Sequence, residues 1–313
     1  MKRNISQNIL ISPQVDQALK SGLPVVAFES TVVTHGLPFP TNLELAKEME
    51  EIARNAKVTP ATIALMRGKV LIGLQDSEMS DLAKSTNNHK ISTKDIAFAL
   101  HKNWNGGTTV AATLFFAHLA GISVFATGGI GGVHRNSNFD ISNDLYELSK
   151  RRVVVICSGV KSILDISSTL EYLETMGVPL FGYQTNRFPE FYSKGNGEHV
   201  VEQIDTTNAI AQIYNQQCEL GLPEALLVAN PVPDEYAIEK ETMEANIEAA
   251  LLAASISGIH GPETTPFILS KVAELSGGRA LQANLALLRN NAQLACEVAI
   301  EISQLKSRRK LII

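Results

Sequence analysis

The sequence lacks the cysteine pattern of a secreted or zinc-stabilised domain. Its 313 residues include three cysteines, Cys157, Cys218 and Cys296, an odd number at wide spacings that match neither a disulfide framework nor a zinc site. The amino-terminal residues also lack the long apolar core of a signal peptide. We therefore expect a cytoplasmic protein whose thiols stay reduced.

Long apolar runs and excess positive charge are missing as well. The most apolar stretch, Val110 to Ala126, contains His118 and is too short and too polar to span a bilayer. The formal net charge of −5 and a pI near 5.8 argue against a nucleic-acid-binding surface. We expect neither a membrane nor a nucleic acid as partner. A small anionic ligand would need a local group of positive charges.

Several common catalytic signatures are absent too. The sequence has no Gly-x-x-x-x-Gly-Lys-Ser/Thr phosphate loop, no His-Glu-x-x-His helix and no Gly-x-Ser-x-Gly nucleophile turn. The glycine-rich stretch at 128–132 fails the dinucleotide fingerprint, because His134 stands where the third glycine should be. These absences argue against the common nucleotide-binding, metalloprotease and serine-hydrolase classes.

The composition is that of a globular protein with a large core, at 45% hydrophobic and 19% charged residues. Apolar, β-branched segments such as 152–157 alternate with helical patterns along the chain, which predicts a layered α/β fold with a parallel or mixed sheet. The length allows one large domain or two smaller ones.

Four local predictions bear on the site. We expect a helix over 9–22, begun by Ser12-Pro13 and ended by Gly22, and a β-hairpin over 62–73. Gly106-Gly107 should form a turn that opens a helix at 110–120, with Thr109 either as an ordinary helix cap or as part of an anion site. The turn at 158–162 should open a helix over 163–176.

The densest group of candidate residues surrounds the central glycine turn. Four glycines lie within 128–132, flanked by Thr127, His134 and Arg135, which can all donate hydrogen bonds to an anion. Asp140 and Asp144 follow and offer carboxylates to a metal. This turn is equally compatible with a tight loop whose glycines only permit close packing.

Two further residues stand at the ends of predicted strands. Glu29 ends the apolar run 24–28, which is unusual for a carboxylate that is neither paired nor functional. Lys161 lies at a predicted helix start, where the helix dipole disfavours its charge and would help make it a nucleophile, although a solvated surface lysine has the same pattern. The segment Arg187 to Gly197 is either a lid over a site or a packed surface loop.

Taken together, these segments resemble the pseudouridine-5′-phosphate glycosidase family, also called indigoidine synthase A-like, from about residue 11 to 301. The motifs that carry the resemblance are Phe28–Pro38, Asn105–Thr109, Thr127–Arg135, Phe139–Leu145, Gly159–Asp165, Ala229–Pro233, Thr265–Phe267 and Ala283–Asn284. So many motifs in one order are far more specific than any single one.

The resemblance implies a single-domain α/β/α layered fold with a central mixed sheet over 1–313, a homotrimer and a divalent cation, typically Mn2+. It implies reversible cleavage of the C–C glycosidic bond of pseudouridine 5′-phosphate to ribose 5-phosphate and uracil. Position by position, it makes Glu29 the acid/base, Lys161 the covalent nucleophile and Asp144 the metal ligand. Residues implied around the substrate are Lys90, Thr109, Thr127, His134, Ser142 and Asn284, with Lys94 as an alternative to Lys90.

The chemistry of these residues suits that reaction. A carbon leaving group must be protonated on carbon, which an ordinary pair of carboxylates would do with difficulty. An amine can attack C1′ and form an imine, while a nearby carboxyl group moves the protons. Two alternatives remain open: a Schiff-base aldolase or N-glycosidase acting on a phosphorylated sugar, and a non-catalytic sugar-phosphate sensor.

Overall fold

Short runs of apolar residues form the strands of a mixed sheet in the computed structural model, which describes residues 6–135, 139–197, 199–259 and 264–310. The strands are β1 (Ile9–Ile11), β2 (Val25–Phe28), β3 (Thr59–Met66), β4 (Lys69–Ile72), β5 (His89–Ile91), β6 (Gly106–Thr108), β7 (Val124–Ala126), β8 (Val133–His134), β9 (Val154–Cys157), β10 (Leu164–Asp165), β11 (Leu180–Tyr183), β12 (Glu202–Ile204) and β13 (Leu226–Ala229).

Helices connect most of these strands. They are α1 (Pro13–Ser21), α2 (Thr41–Asn55), α3 (Asp76–Lys84), α4 (Ile96–His101), α5 (Val110–Ala120), α6 (Asn143–Leu148), α7 (Ile166–Thr175), α8 (Thr207–Leu220), α9 (Lys240–Ile256), α10 (Thr264–Leu275) and α11 (Arg279–Lys310). A π-helical turn, Val32–Gly36, lies between β2 and α2, and two 3₁₀ turns cover Thr93–Asp95 and Asp234–Tyr236.

The main sheet has eleven strands, nine of them in the order β1-β4-β3-β2-β7-β9-β13-β11-β12. β6 pairs with β3 and carries β5 beside it. The contacts of β3 with β4 and β6 are antiparallel, and the other pairings of this sheet are parallel. The predicted mixed α/β sheet is therefore confirmed.

Helical layers cover both faces of the sheet centre. Every residue of β2, β7, β9 and β13 is buried, as parallel strands require when both of their faces are covered. The long helix α11 contacts β2, β7 and β9, and it also packs on α2 and α8. The predicted single domain includes residues outside the described ranges, so that part of the sequence analysis stays a prediction.

The ends of several helices follow from local sequence. Ser12 caps α1 through its side chain, Pro13 is the first helical residue, and Gly22 ends the helix in the left-handed conformation at φ 72°. Thr109 caps α5, and Gly121 ends it with φ 77°. The predicted hairpin is present as β3 and β4.

Three local predictions are wrong. Residues 9–11 are not helical, because they pair with β4 as an added parallel strand. Gly106 and Gly107 lie in β6 rather than in a turn. Each faces a backbone too closely for a Cβ, whose ideal position would lie 2.2 Å from the His89 carbonyl oxygen at Gly106 and 2.6 Å from the Ser30 carbonyl oxygen at Gly107. The helix expected from residue 163 begins at Ile166, after β10.

Candidate active site

The ends of neighbouring parallel strands bring the predicted catalytic residues to one edge of the sheet. Glu29 follows β2, Thr127 follows β7, Ser158 follows β9 and Asn230 follows β13, and these strands are adjacent in that order. Ligands of open α/β sheets bind at this carboxyl edge. The order of the strands, rather than closeness along the chain, therefore assembles the site.

One cavity at this edge collects four of the predicted residues. Its lining includes Glu29, Lys90, Lys161 and Asn284. The polar side also includes Thr31, His35, Gly36 and the backbone turn at Gly128 and Gly129, and the apolar wall comes from Val32, Phe191, Leu269 and Leu288. A carboxyl group, two amines, an amide and an apolar wall thus face the same space.

Glu29 is the buried carboxyl group of this cavity. It is 8% exposed and accepts a hydrogen bond from the Thr127 hydroxyl. Burial raises its pKa above the usual 4.5, and Lys161, the Thr127 bond and Lys90 oppose that rise. A carboxyl group whose pKa is moved towards neutrality can both give and take a proton at physiological pH.

Lys90 lies on β5 and is half-buried beside the same cavity. Burial lowers the pKa of Lys90, and Lys161 lowers it further, whereas Asp144 and Glu29 oppose both effects. Lys94, the alternative from the sequence, is not among the residues that line the cavity. Of these two lysines, Lys90 is thus the one that lines the cavity, and its binding of substrate stays a prediction.

Lys161 lies in a loop whose backbone is fixed by the glycine turn, and no helix starts at it. Its N–H donates to the carbonyl of Ile130 at 3.0 Å, and the N–H of Ile130 donates to the Gly159 carbonyl at 3.0 Å. Since α7 starts at Ile166, with Asp165 as its cap, the helix-dipole argument does not apply to Lys161. Its neighbours in the cavity are instead Glu29 and Lys90.

Asp144 joins two of the predicted anion-binding segments. Its side chain is 5% exposed, and its two oxygens accept the backbone N–H groups of Ala111 and Gly131, both at 2.8 Å. Ala111 is the second residue of α5, which Thr109 caps. Asp144 therefore holds the start of α5 against the glycine turn.

The fit of a divalent cation depends on this arrangement. No group of three or more His, Cys, Asp and Glu in the described part of the chain could hold a metal. Each Asp144 oxygen keeps one lone pair, so these residues fit a cation held by one carboxylate and water, and not a cage of protein ligands. Asp140 is more accessible, with 62% of its side chain exposed, and it lies 3.9 Å from Nδ1 of His134.

The remaining predicted substrate residues are not among those that line this cavity. Thr127 is fully buried and bonded to Glu29, and Ser142 caps α6 by accepting the Asp144 N–H at 3.3 Å. Thr109 is an ordinary cap that accepts from Ala112 at 3.4 Å. His134 lies on β8, is 31% exposed and is not among the cavity residues.

The glycines of the central turn are required for close approach. None of Gly128, Gly129, Gly131 and Gly132 has a positive φ. A Cβ on Gly131 would lie 2.2 Å from Ser142 Oγ, and one on Gly129 would lie 2.6 Å from the Phe191 ring. The turn is therefore the surface on which the Ser142–Asp144 segment and the cavity wall pack.

One site residue was missed from the sequence, and another lies in a segment whose role the sequence left open. Asn291 of α11 is fully buried. It donates to the Thr127 carbonyl at 2.8 Å and to Ser158 Oγ at 3.1 Å, and it accepts from Asn230 at 3.0 Å, so it ties three strand ends together. A buried asparagine on an apolar helix face was the only available signal. Phe191 is 3% exposed and lines the cavity. It belongs to the segment 187–197, in which residues 188–193 are buried and Arg187 and Lys194 are exposed.

Comparison with known proteins decides the family. The model of the family described as "Indigoidine synthase A like protein" matches residues 14–301. The chain belongs to the indigoidine synthase A-like family. Curated relatives named pseudouridine-5′-phosphate glycosidase include one from Hahella chejuensis, 48% identical over 92% of this chain and 96% of that protein. The one from Escherichia coli K12 is 47% identical over 96% and 98%, respectively.

Solved structures that are similar to this chain have the same fold. An indigoidine synthase A-like protein from Thermotoga maritima superposes with a TM-score of 0.87 at 38% identity, covering 94% of this chain and 96% of that one. The prealnumycin C-glycosynthase AlnA, in complex with ribulose 5-phosphate, gives 0.89 at 35% identity, covering 97% and 100%. The sequence-based predictions of the family, the fold and an enzyme of the glycosidase class are confirmed.

Proposed function

We propose that this protein cleaves the C–C glycosidic bond of pseudouridine 5′-phosphate, reversibly, to ribose 5-phosphate and uracil. The observation that carries the proposal is the single cavity that joins Glu29, Lys90, Lys161 and Asn284. The relatives named pseudouridine-5′-phosphate glycosidase support the substrate, and the C-glycosynthase with bound ribulose 5-phosphate supports a phosphorylated pentose.

The reaction uses Lys161 as the nucleophile. The neutral amine adds to C1′, and the bond between C1′ and the ring oxygen breaks as that oxygen takes a proton. The bond between C1′ and C5 of uracil then breaks: C5 keeps the electron pair and gains a proton, and the nitrogen lone pair forms the C=N bond. Water hydrolyses this imine, which releases ribose 5-phosphate and restores the lysine.

Glu29 moves the protons in this sequence. It lines the same cavity as Lys161, and burial raises its pKa towards the range where it exchanges protons at neutral pH. The Thr127 hydroxyl holds one carboxyl oxygen in place. The other oxygen is thus left for the reacting groups.

The two ends of the substrate have different surroundings. Lys90 would supply the cavity's donor for the 5′-phosphate, whose binding energy would orient C1′ against Lys161. Thr109, Thr127, His134 and Ser142 are assigned to this end of the substrate by family resemblance. Asn284 has an amide that can pair with the uracil edge, and Leu288 and Phe191 offer apolar walls. The proposal thus assigns the base and the phosphate to different residues.

A divalent cation and a homotrimer also belong to the proposal. A cation, Mn2+ by family resemblance, would have Asp144 as its single protein carboxylate. When bound, it would supply positive charge and ordered water near the phosphate donors. Sedimentation of the purified protein should give three copies of the 33.9 kDa chain.

None of the described helices is both long and apolar enough to cross a membrane.

One assay tests the proposed function. Pseudouridine 5′-phosphate and manganese are incubated with the protein, and uracil is followed by chromatography. Uridine 5′-phosphate, which has an N-glycosidic bond, is the control and should give none. Release of uracil from uridine 5′-phosphate alone would indicate an N-glycosidase, and binding of the sugar phosphate with no turnover would indicate a sensor.

A further inference from the structure

Arg135, the arginine of the central glycine-rich motif, does not lie in the catalytic cavity. It directly follows His134, where the sequence offered it as an anion donor, but it is not among the residues that line the space around Glu29 and Lys161. It lines instead a separate cavity of about 400 Å³ with Ser162 and Glu244. Its role is therefore not explained by contact with the substrate.

The guanidinium group of Arg135 holds the backbone that follows Lys161. Nη2 donates to the carbonyl of Ser162 at 2.8 Å, and Nε donates to the carbonyl of Leu164 at 3.1 Å. These carbonyls belong to the first and third residues after Lys161. Arginine can do this because its planar group carries five N–H donors in a fixed arrangement.

A carboxylate on a helix holds the guanidinium group in turn. Both oxygens of Glu244, on α9, accept from Arg135, one from Nη1 and the other from Nη2 at 3.2 Å. The Arg135 side chain is 22% exposed, so this two-bond ion pair is partly shielded from water. Through this ion pair, helix α9 holds in place the arginine that is bonded to the Lys161 loop.

The Lys161 loop is thus fixed from two sides. Before it, the Ile130 carbonyl accepts the Lys161 N–H, and after it, Arg135 takes the Ser162 and Leu164 carbonyls. Leu164 also pairs with His134 in the short β8–β10 ladder. Since no helix starts at Lys161, these bonds, rather than a helix, set the direction of its side chain.

We propose that Arg135, braced by Glu244, is a positioning residue that holds the Lys161 loop in the geometry needed for attack on C1′. This inference rests on the proposed function for its effect on turnover, but not for the contact itself. A nucleophile displaced by about 1 Å can lose about 10²-fold in rate. The loss should fall on kcat, because substrate binding uses other residues.

The test compares Arg135→Ala with Arg152→Ala. Arg152 is a matched control, since its Nη1 also donates to two backbone carbonyls, those of Gln217 at 3.2 Å and Leu222 at 2.9 Å, at the opposite edge of the sheet. Arg135→Ala should lower kcat by about 10- to 100-fold with little change in KM. Added guanidinium ion, which the adjoining cavity can admit, should restore part of the loss.

Hydrogen exchange separates this proposal from the proposed function. Amides in the peptide 160–165 should exchange faster in Arg135→Ala than in wild type without any substrate, and Arg152→Ala should leave them unchanged. If the wild type releases no uracil, the exchange result still decides whether Arg135 holds the loop. Glu244→Gln, which keeps Arg135 and its backbone bonds, should show the same changes to a smaller extent and serves if Arg135→Ala does not fold.

Unchanged exchange over 160–165 in both Arg135→Ala and Glu244→Gln would overturn the proposal. So would an equal loss of kcat in Arg152→Ala, because the effect would then be one of general stability. A rise in KM with unchanged kcat in Arg135→Ala would also contradict it, since Arg135 would then act on substrate binding.

Discussion

Replacing Glu29 by glutamine should separate its chemistry from its place in the fold. Glutamine is nearly isosteric, and its oxygen can still accept the Thr127 hydroxyl bond. It cannot give or take a proton, so we expect turnover of pseudouridine 5′-phosphate to fall by about 10² to 10⁴-fold. The assay is steady-state uracil release at saturating substrate.

The same substitution should raise stability over a defined range of pH. The pKa of Glu29 is raised above 4.5 in the folded protein, so the folded state binds this proton more tightly than the unfolded chain. The stability that this proton binding gives the folded state is fully present below about pH 4.5 and is lost as the pH rises through the pKa of Glu29 in the folded protein. The melting temperature of Glu29→Gln relative to wild type should therefore increase across that window.

Glu50→Gln is the matched control for Glu29→Gln. Glu50 is also buried, accepts a threonine hydroxyl bond from Thr62 at 2.6 Å, and has a pKa raised by burial, but it is not among the cavity residues. It should keep wild-type turnover. The reasoning is refuted if Glu29→Gln turns over substrate at a near-normal rate, or if Glu50→Gln loses as much.

Three further predictions concern the substrate and the metal. Lys90→Ala should lose one charge-assisted bond to the phosphate, worth about 1.5–3 kcal/mol, which should raise KM tenfold or more. Unphosphorylated pseudouridine should likewise be a very poor substrate. Equal turnover of nucleoside and nucleotide would contradict this. Chelation should remove activity, and added manganese should restore it. Asp144→Asn should bind the metal more weakly than wild type. If only Asp140→Asn bound it more weakly, Asp140 rather than Asp144 would be the metal ligand. Asn284→Ala should raise the KM for uracil in the synthetic direction and leave that for ribose 5-phosphate unchanged, and equal changes in both would remove it from base recognition.

The sequence predicted the central strands and the catalytic edge of the sheet because these depend on local composition. The apolar run before Glu29 and the β-branched run 152–157 became β2 and β9. A carboxylate after a buried strand is a local signal of a site, and Glu29 does line the cavity. The family resemblance then supplied the roles that no spacing could show.

The errors arose where distant contacts decide the conformation. Residues 9–11 became a strand because β4 offers a free edge, and β10 exists because Leu164 pairs with His134. Arg135 has the same local pattern whether it faces a phosphate or two backbone carbonyls. Asn291 lies 164 residues from its partner Thr127, so its role in the site depends wholly on the tertiary fold.

Covalent trapping of Lys161 tests the central claim most directly. The protein is mixed with ribose 5-phosphate or pseudouridine 5′-phosphate and treated with borohydride, which reduces an imine to a stable amine. Mass spectrometry of the digest should show the mass of the reduced sugar phosphate on the peptide that contains Lys161. Lys161→Ala should lose both the adduct and turnover, and Lys161→Arg should not restore them, because guanidinium stays protonated. Substantial release of uracil by Lys161→Ala, or an adduct on Lys90, would contradict the account.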